Sequence, residues 1–295
     1  SSGTNNLSLR ILHMHELELL QSIYARSTNL SGVTIGPGDD MGEIKINSDR
    51  LLCAVDQLVV GTHVTETTNP KAIGRKAIAR CFSDIAAMAG SPVGCVMSAC
   101  VPTHTPNDWC DAVFGGAKEA AELWGGPIFG GDIASSDGPA VFSVTALATP
   151  PTQGAVLRTG IQEGDFVCVT GELGNSIAGH HLSFNPRIQE AQELLQLLGL
   201  ALHCMIDISD GLGQDASHLS TEQLQLVIDT SLLPLREGAT VEGAVRDGED
   251  YELLFTSSAK PPVELATVIG TVEQGMLQVV TTDGTDISNY GWMHK

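Results

Sequence analysis

Aspartates in several separate segments are the residues of this sequence best suited to chemistry. Residues 36–40 (GPGDD) and 130–132 (GGD) each place a carboxylate after glycines, which let the backbone approach a bound group closely. Such loops can hold a phosphate through backbone N–H groups, or Mg²⁺ through the acids. Each is also a common turn, and in isolation the turn is the favoured interpretation.

Asp84 is a different kind of candidate, because its neighbours in residues 81–88 (CFSDIAAM) are nearly all suited to burial. A carboxylate in such surroundings is costly unless a cation or several hydrogen-bond donors meet it. The alternative is an exposed polar stripe of Ser83 and Asp84, with Arg80 one helical turn earlier as an ion-pair partner. The segment alone favours neither interpretation.

Residues 206–211 (IDISDG) end a predicted strand and begin a predicted helix over residues 212–219. Strand alternation places Asp207 and Ser209 on one face, with Asp210 at the turn. Ligands of open α/β sheets bind at the carboxyl ends of strands. Helix capping, the alternative, would explain one of these polar residues and not three.

Two further segments combine acids with predicted strands. Asp56 interrupts a predicted strand over residues 51–60 and His63 follows it, although a single histidine is more often structural than a ligand. Residues 248–254 (GEDYELL) place three acids at a strand start, where acids are normally depleted. A solvent-facing edge is the alternative for these acids.

Composition limits the classes of function. The net charge of −20 and the lack of a Lys/Arg cluster argue against nucleic-acid binding. An acidic protein that handles phosphates is expected to do so through bound metal, which reverses the local charge. The alternative, which the charge alone favours, is that the acidity only keeps the protein soluble. No apolar run reaches the roughly 20 residues of a membrane span. The seven cysteines show no C-x-x-C spacing and are interpreted as small buried residues in a reducing compartment, so we expect a cytoplasmic protein.

Several familiar enzyme motifs are absent from the sequence. It has no P-loop, no protein-kinase motif set, no G-x-S-x-G elbow and no H-E-x-x-H. Gly171 and Gly174 follow a predicted strand but lack the G-x-G-x-x-G spacing of a dinucleotide loop, which argues against NAD.

The elements that must position these residues alternate along the chain. A helix is predicted over residues 7–26, a glycine-rich loop over 32–42, and helices that open at Asn69-Pro70 and at Thr105-Pro106. Strands are predicted at 94–101 and 140–148, separated by the third helix and a Gly-Gly-Asp turn. The proline-rich residues 149–154 are the best linker. We therefore predict domains at 1–149 and 150–295, with strands and helices alternating through the second.

Taken in order, six motifs resemble those of the thiamine-monophosphate kinase family, which is related to aminoimidazole ribonucleotide synthetase. The resemblance runs from about residue 35 to the C-terminus. Its motifs are residues 36–40, 83–88, 130–132, Arg158 with 164–165, 207–212 and 248–254.

The resemblance implies a two-domain α+β fold of the synthetase type. The N-terminal α+β domain would contribute to a dimer β-barrel, and the C-terminal α/β domain would enclose ATP in the cleft between the two. The family transfers the γ-phosphoryl group of ATP directly to thiamine monophosphate with several Mg²⁺ ions, so a homodimer with these substrates is expected. No enzyme nucleophile is required.

The resemblance also implies the roles of individual residues. Those that would bind magnesium are Asp40, Asp56, Asp84, Asp132, Asp207 and Asp210. Those that would bind ATP are Gly131, Arg158 and Ser209, and those that would bind the thiamine substrate are His63, Glu249 and Trp292.

Two alternatives remain open from the sequence. One is another ATP-using synthetase of the same superfamily. The other is a catalytically silent nucleotide-binding paralogue, because the sequence departs from the family pattern at Val55, Cys81, Ile133 and Asp247.

Overall fold

The computed structural model describes residues 33–35, 39–46 and 49–292, which form two six-stranded sheets flanked by helices. The helix predicted over residues 7–26 lies outside the described residues. Strands β1 to β6 are Val33–Ile35, Gly42–Ile46, Asp49–Val59, Ser91–Pro102, Ile128–Ser136 and Val141–Thr149. They build the first sheet in the order β1-β2-β3-β6-β4-β5, which is antiparallel except between β4 and β5.

Two long helices, α1 (Pro70–Ala87) and α2 (Asn107–Leu123), confirm the predictions made at the two Pro-containing start signals. The side chain of Asn69 accepts a hydrogen bond from the Lys71 N–H at 2.9 Å, which caps α1. The two helices cross closely at Gly74. A Cβ atom at this position would lie 1.9 Å from the Val113 carbonyl oxygen of α2. Only glycine permits this approach.

The second sheet contains strands β7 to β12, at Phe166–Val169, Leu202–Asp207, Leu224–Ile228, Leu253–Ser257, Thr267–Gln274 and Val279–Thr281. Its order is β12-β9-β11-β7-β10-β8, and only the β9–β12 pair is parallel. Strands and helices alternate as predicted for the second half, but this alternation produces mainly antiparallel pairing. The helices are α3 (His180–Ser183), α4 (Ile188–Leu198), α5 (Leu212–Ser217) and α6 (Val241–Arg246).

Two loop predictions are wrong. Residues 130–132 are not a turn, since they lie within β5, where Gly130 pairs with Val96 and Asp132 with Ser98. Gly131 is needed there, because a Cβ atom at this position would lie 2.0 Å from the Met97 carbonyl oxygen. In the predicted loop over residues 32–42, Val33–Ile35 form a strand because they pair with β2.

Helix α1 lies in the core that joins the two sheets. Phe82 and Ile85 of α1 are fully buried in one cluster with Met205 and Phe255 from the second sheet. All seven cysteines are free, and four of them are buried. Within the described part of the chain, none of the helices is long and apolar enough to cross a membrane. The proposed division at residue 149 follows the last strand of the first sheet.

Candidate active site

Three carboxylates from distant segments meet beside α1. One oxygen each from Asp40, Asp84 and Asp207 lies within 4.8 Å of the other two. Asp40 precedes β2, Asp84 lies in the last turn of α1, and Asp207 is the final residue of β8. The structure therefore brings together three of the six aspartates that the family resemblance implies as metal ligands.

Neighbouring polar groups fix the orientation of these carboxylates. Arg158 donates from Nε and Nη2 to the two oxygens of Asp40 at 2.9 and 2.8 Å. The Ser83 hydroxyl donates to Oδ2 of Asp207 at 2.6 Å. Ser83 is only 1% exposed, so the interpretation of Ser83 and Asp84 as a solvent-exposed stripe is wrong.

The cluster has an excess of negative charge. Burial, followed by repulsion from Asp207 and Asp40, raises the pKa of Asp84 well above its ordinary value. Burial and repulsion from Asp40 likewise raise the pKa of Asp207 to about 7. Three carboxylates face the single guanidinium of Arg158, and the uncompensated charge suits a divalent cation with oxygen ligands. The donor set therefore fits Mg²⁺.

The loop after Asp207 is held by a carboxylate that the sequence analysis missed. Oδ2 of Asp215, which is 3% exposed, accepts hydrogen bonds from the backbone N–H groups of Ser209, Asp210 and Gly211 at 2.9, 2.9 and 3.1 Å. The carbonyl oxygen of Asp210 accepts a further bond from the Trp292 N–H at 2.7 Å. The feature of the sequence that points to Asp215 is its position as an acid in the first turn of α5.

Replacing Asp215 with alanine is expected to lower the free energy of unfolding by about 1–3 kcal/mol, because three backbone N–H groups, of which that of Gly211 is buried, lose their shared acceptor. Urea unfolding measures this change, and hydrogen exchange should show faster exchange of the Ser209, Asp210 and Gly211 amides. Asp215→Asn retains an acceptor oxygen and serves as the matched control. Equal destabilisation by both substitutions would contradict this role.

A second polar cluster contains two of the predicted substrate residues, and Lys76 connects them. The Lys76 side chain is 0% exposed, and its Nζ donates to Oε2 of Glu249 at 2.5 Å and to the His63 carbonyl oxygen at 2.7 Å. It also lies 2.8 Å from Nδ1 of His181. Burial lowers the pKa of Lys76 to about 8, although Glu249 opposes this shift. Sequence reasoning missed Lys76, since lysine on a helix is ordinarily exposed.

The segment that carries Glu249 has an unusual backbone. Glu249 and Tyr251 have φ values of 66° and 50°, in the left-handed region that non-glycine residues rarely occupy. Their N–H groups donate to the carbonyl oxygens of Ser209 and Ile208, both at 2.7 Å. This segment is thereby attached to the loop after Asp207. Strained residues of this kind cluster at functional sites.

The other acids of this segment are structural. Asp250 and Glu252 are 0% and 1% exposed, so the alternative of a solvent-facing edge is wrong. Asp250 pairs with Arg236 at 2.7 Å, and Glu252 accepts two hydrogen bonds from Arg187, both at 2.7 Å. Strand β10 begins only after them, at Leu253.

Three predicted ligands lie outside the three-carboxylate group found among the described residues. Asp56 pairs with Arg80, Asp210 lies in the loop after β8, and Asp132 is exposed on β5. Their assignment as metal ligands stays a prediction. The same holds for Gly131, which lies on β5, and for the exposed side chain of Trp292.

Residues 38–149 match the family model described as AIR synthase related protein, N-terminal domain. The chain is 34% identical to the thiamine-monophosphate kinase of Rhodopirellula baltica, covering 81% of each chain. It is 31% identical to that of Aquifex aeolicus, covering 87% of this chain and 92% of the relative.

Solved structures show the same similarity. AaThiL complexed with AMPPCP and TMP superposes with a TM-score of 0.85 at 28% identity, covering 98% of this chain and 100% of that chain. Thiamine-monophosphate kinase from Stenotrophomonas maltophilia superposes with a TM-score of 0.73 at 27% identity, covering 91% of this chain and 96% of that chain.

Proposed function

The chain belongs to the thiamine-monophosphate kinase family, and from this membership we propose that it phosphorylates thiamine monophosphate with ATP, yielding thiamine diphosphate and ADP. The observation that carries the proposal is the cluster of Asp40, Asp84 and Asp207, attached to Arg158, in a chain that superposes with AaThiL complexed with AMPPCP and TMP. In this reaction an oxygen of the acceptor phosphate attacks the γ-phosphorus in line with the bond to the leaving ADP. Because that oxygen is already anionic, no enzyme nucleophile or base is required.

The cluster of Asp40, Asp84 and Asp207 would hold Mg²⁺. A bound Mg²⁺ would offset the repulsion between the two phosphate-bearing substrates. Arg158 fixes both oxygens of Asp40, and Ser83 fixes one oxygen of Asp207, so these carboxylates are oriented in advance. Such positioning is the main contribution of a protein to phosphoryl transfer.

Each substrate has three proposed contact residues in the site. ATP is proposed to contact Gly131, Arg158 and Ser209, and thiamine monophosphate to contact His63, Glu249 and Trp292. Support comes from the network in which Lys76 joins His63 to Glu249, and from the hydrogen bond between the Glu249 N–H and the Ser209 carbonyl oxygen at 2.7 Å. The seven free cysteines support a reducing, cytoplasmic location.

The proposed activity is tested by incubating the chain with ATP, Mg²⁺ and thiamine monophosphate and separating the thiamine compounds by chromatography. We expect thiamine diphosphate and ADP in equal amounts, and no product when EDTA replaces Mg²⁺. Thiamine, which lacks the acceptor phosphate, is the matched substrate control and should give no diphosphate. No product while ATP binding is intact would favour the silent nucleotide-binding alternative.

We also propose that the protein is a homodimer that pairs through the surface of β5. This strand is at the edge of its sheet, and Phe129 and Ile133 on it are 63% and 64% exposed. A cavity of about 620 Å³ beside them has a mainly apolar lining that includes Met97, Phe114 and Phe142. Exposed apolar surfaces and unpaired strand edges of this kind mark interfaces between chains.

Replacing both Phe129 and Ile133 with glutamate is expected to give monomers, because burying two uncompensated charges opposes association. Analytical ultracentrifugation measures the mass in solution. Leu200→Glu is the control, since Leu200 is 96% exposed and remote in sequence from β5, and it should leave the mass unchanged. A dimer that survives the double substitution would exclude this surface as the interface.

A further inference from the structure

The C-terminal residues 287–292 are held against the loop after β8 and the start of α5 by backbone hydrogen bonds. The Trp292 N–H donates to the Asp210 carbonyl oxygen at 2.7 Å, and the Tyr290 carbonyl oxygen accepts from the Gln214 N–H at 3.0 Å. The backbone of Trp292 is therefore anchored, whereas its side chain is 57% exposed.

The segment that carries Glu249 contacts the same loop. A Cβ atom on Gly248 would lie 2.7 Å from the Ser209 carbonyl oxygen, and one on Gly211 would lie 2.8 Å from the Arg246 carbonyl oxygen. The loop is thus in contact with two segments, each of which carries one proposed contact to the thiamine substrate.

Arg246 connects these two segments through its side chain. It is the last residue of α6, and its guanidinium carbon lies 4.1 Å from the centroid of the Tyr290 ring. Tyr290 is partly buried and packs against the core of the second sheet. A guanidinium at this distance from an aromatic face is attracted by the quadrupole of the ring. The contact therefore attaches the C-terminal segment to the end of α6.

This contact acts on Trp292 because Tyr290 lies two residues before it in the same segment. Without the guanidinium, Tyr290 would lose one of its attachments, and the neighbouring indole would occupy a wider range of orientations. Restricting that range again on binding costs free energy, so the affinity for a ligand of the indole falls. Thiamine carries a cationic thiazolium ring, and the indole face is the best aromatic partner for a cation.

We propose that Arg246 is a positioning residue for thiamine monophosphate, which acts through Tyr290 to hold Trp292 in its binding orientation. The inference rests on the proposed kinase function and names a determinant of its substrate affinity. Arg246 contacts neither substrate in this role. The affinity for ATP and the phosphoryl-transfer step therefore depend on it little.

Kinetics and calorimetry on the full chain test this role through the two substrates separately. Arg246→Met keeps the apolar stem and removes the charge, so it is expected to raise the KM for thiamine monophosphate about fivefold, the scale of a single cation–π contact. Calorimetry with Mg²⁺ and AMPPCP present should show the same change in its Kd. The KM for ATP and kcat should stay within about twofold of the wild type. Arg246→Lys retains a cation and should restore most of the affinity.

Further variants separate the ring contact from other effects of the charge. Tyr290→Leu should match Arg246→Met, whereas Tyr290→Phe keeps the ring face and should behave as the wild type. Glu242→Gln removes the ion-pair partner of Arg246 at 3.7 Å and should change neither KM. Lys260→Met is the matched control, because it removes a cation that lies 5.2 Å from the centroid of the Phe166 ring.

Coupling with Trp292 distinguishes positioning from a general loss of stability. Trp292→Ala is expected to weaken the binding of thiamine monophosphate at least as much as Arg246→Met does. Adding Arg246→Met to Trp292→Ala should cause no further loss, because the indole that the pair positions is then absent. A purely structural role would instead weaken binding by the same factor in both backgrounds.

The inference is overturned if folded Arg246→Met binds thiamine monophosphate as the wild type does, if its affinities for AMPPCP and thiamine monophosphate fall equally, or if the effects at Arg246 and Trp292 are independent. Any of these results, with normal turnover by the wild type, would leave the proposed kinase function intact. If the wild type bound AMPPCP but neither bound nor phosphorylated thiamine monophosphate, the proposed function would fail together with the inference.

Discussion

Asp84→Asn is expected to lower kcat/KM for thiamine diphosphate formation by about 10³-fold, the scale of removing a principal electrostatic group from an active site. Asparagine has the same size as aspartate, but it replaces one carboxylate oxygen of the three-carboxylate cluster with an amide and removes its charge. The loss should appear mainly in kcat if Mg²⁺ stabilises the transition state more than the bound substrates. Steady-state kinetics at several Mg²⁺ concentrations measure it.

The same substitution is expected to stabilise the protein in EDTA at pH 7. The pKa of Asp84 in the folded protein is raised, mainly by burial and then by Asp207 and Asp40, so its ionised form destabilises the fold near neutral pH. A neutral side chain removes this cost, and the Tm should therefore rise. Glu119→Gln, on the exposed face of α2, is the control and should change neither activity nor Tm. Activity of Asp84→Asn within threefold of the wild type would exclude Asp84 as a metal ligand.

Lys76→Met is expected to lower the free energy of unfolding by about 3 kcal/mol, because it leaves Glu249 largely buried without its cationic partner. The value lies at the lower end of the range for broken buried pairs, since the Glu249 side chain is 17% exposed and keeps its contact with His181 at 3.1 Å. Urea unfolding measures the loss.

A double-mutant cycle separates the Lys76–Glu249 pair from simple packing changes. Lys76→Met combined with Glu249→Gln removes both charges, so it should be more stable than Lys76→Met alone. Lys71→Met is the matched control, because Lys71 makes an exposed ion pair with Glu119 at 3.1 Å and should contribute less than about 1 kcal/mol. A loss no larger in Lys76→Met than in this control would contradict the role of Lys76.

The fold could be predicted where local signals specify it. Asn69 and Pro70 locate the start of α1 because capping and a preset φ act within one turn. Local signals could not predict that Gly130 and Asp132 belong to a strand. Glycine next to aspartate favours a turn locally, and only pairing with β4 makes these residues a strand.

The candidate site shows the same division between local and distant interactions. Asp40, Asp84 and Asp207 were each ambiguous in isolation, and the order of their motifs selected them. Their supporting contacts were not predictable, because the partners are far apart in sequence: Ser83 and Asp207 are separated by 124 residues, and Lys76 and Glu249 by 173 residues. No local periodicity encodes such pairings.

Helix α1 also restricts where the length of this chain can change. Lys76, Arg80 and Asp84 share one face because each interval of four residues rises about 6 Å and completes slightly more than one turn. One residue inserted between Arg80 and Asp84 would rotate Asp84 by about 100° about the helix axis, away from Asp207, while Lys76 kept its position. We therefore expect natural insertions and deletions to avoid α1.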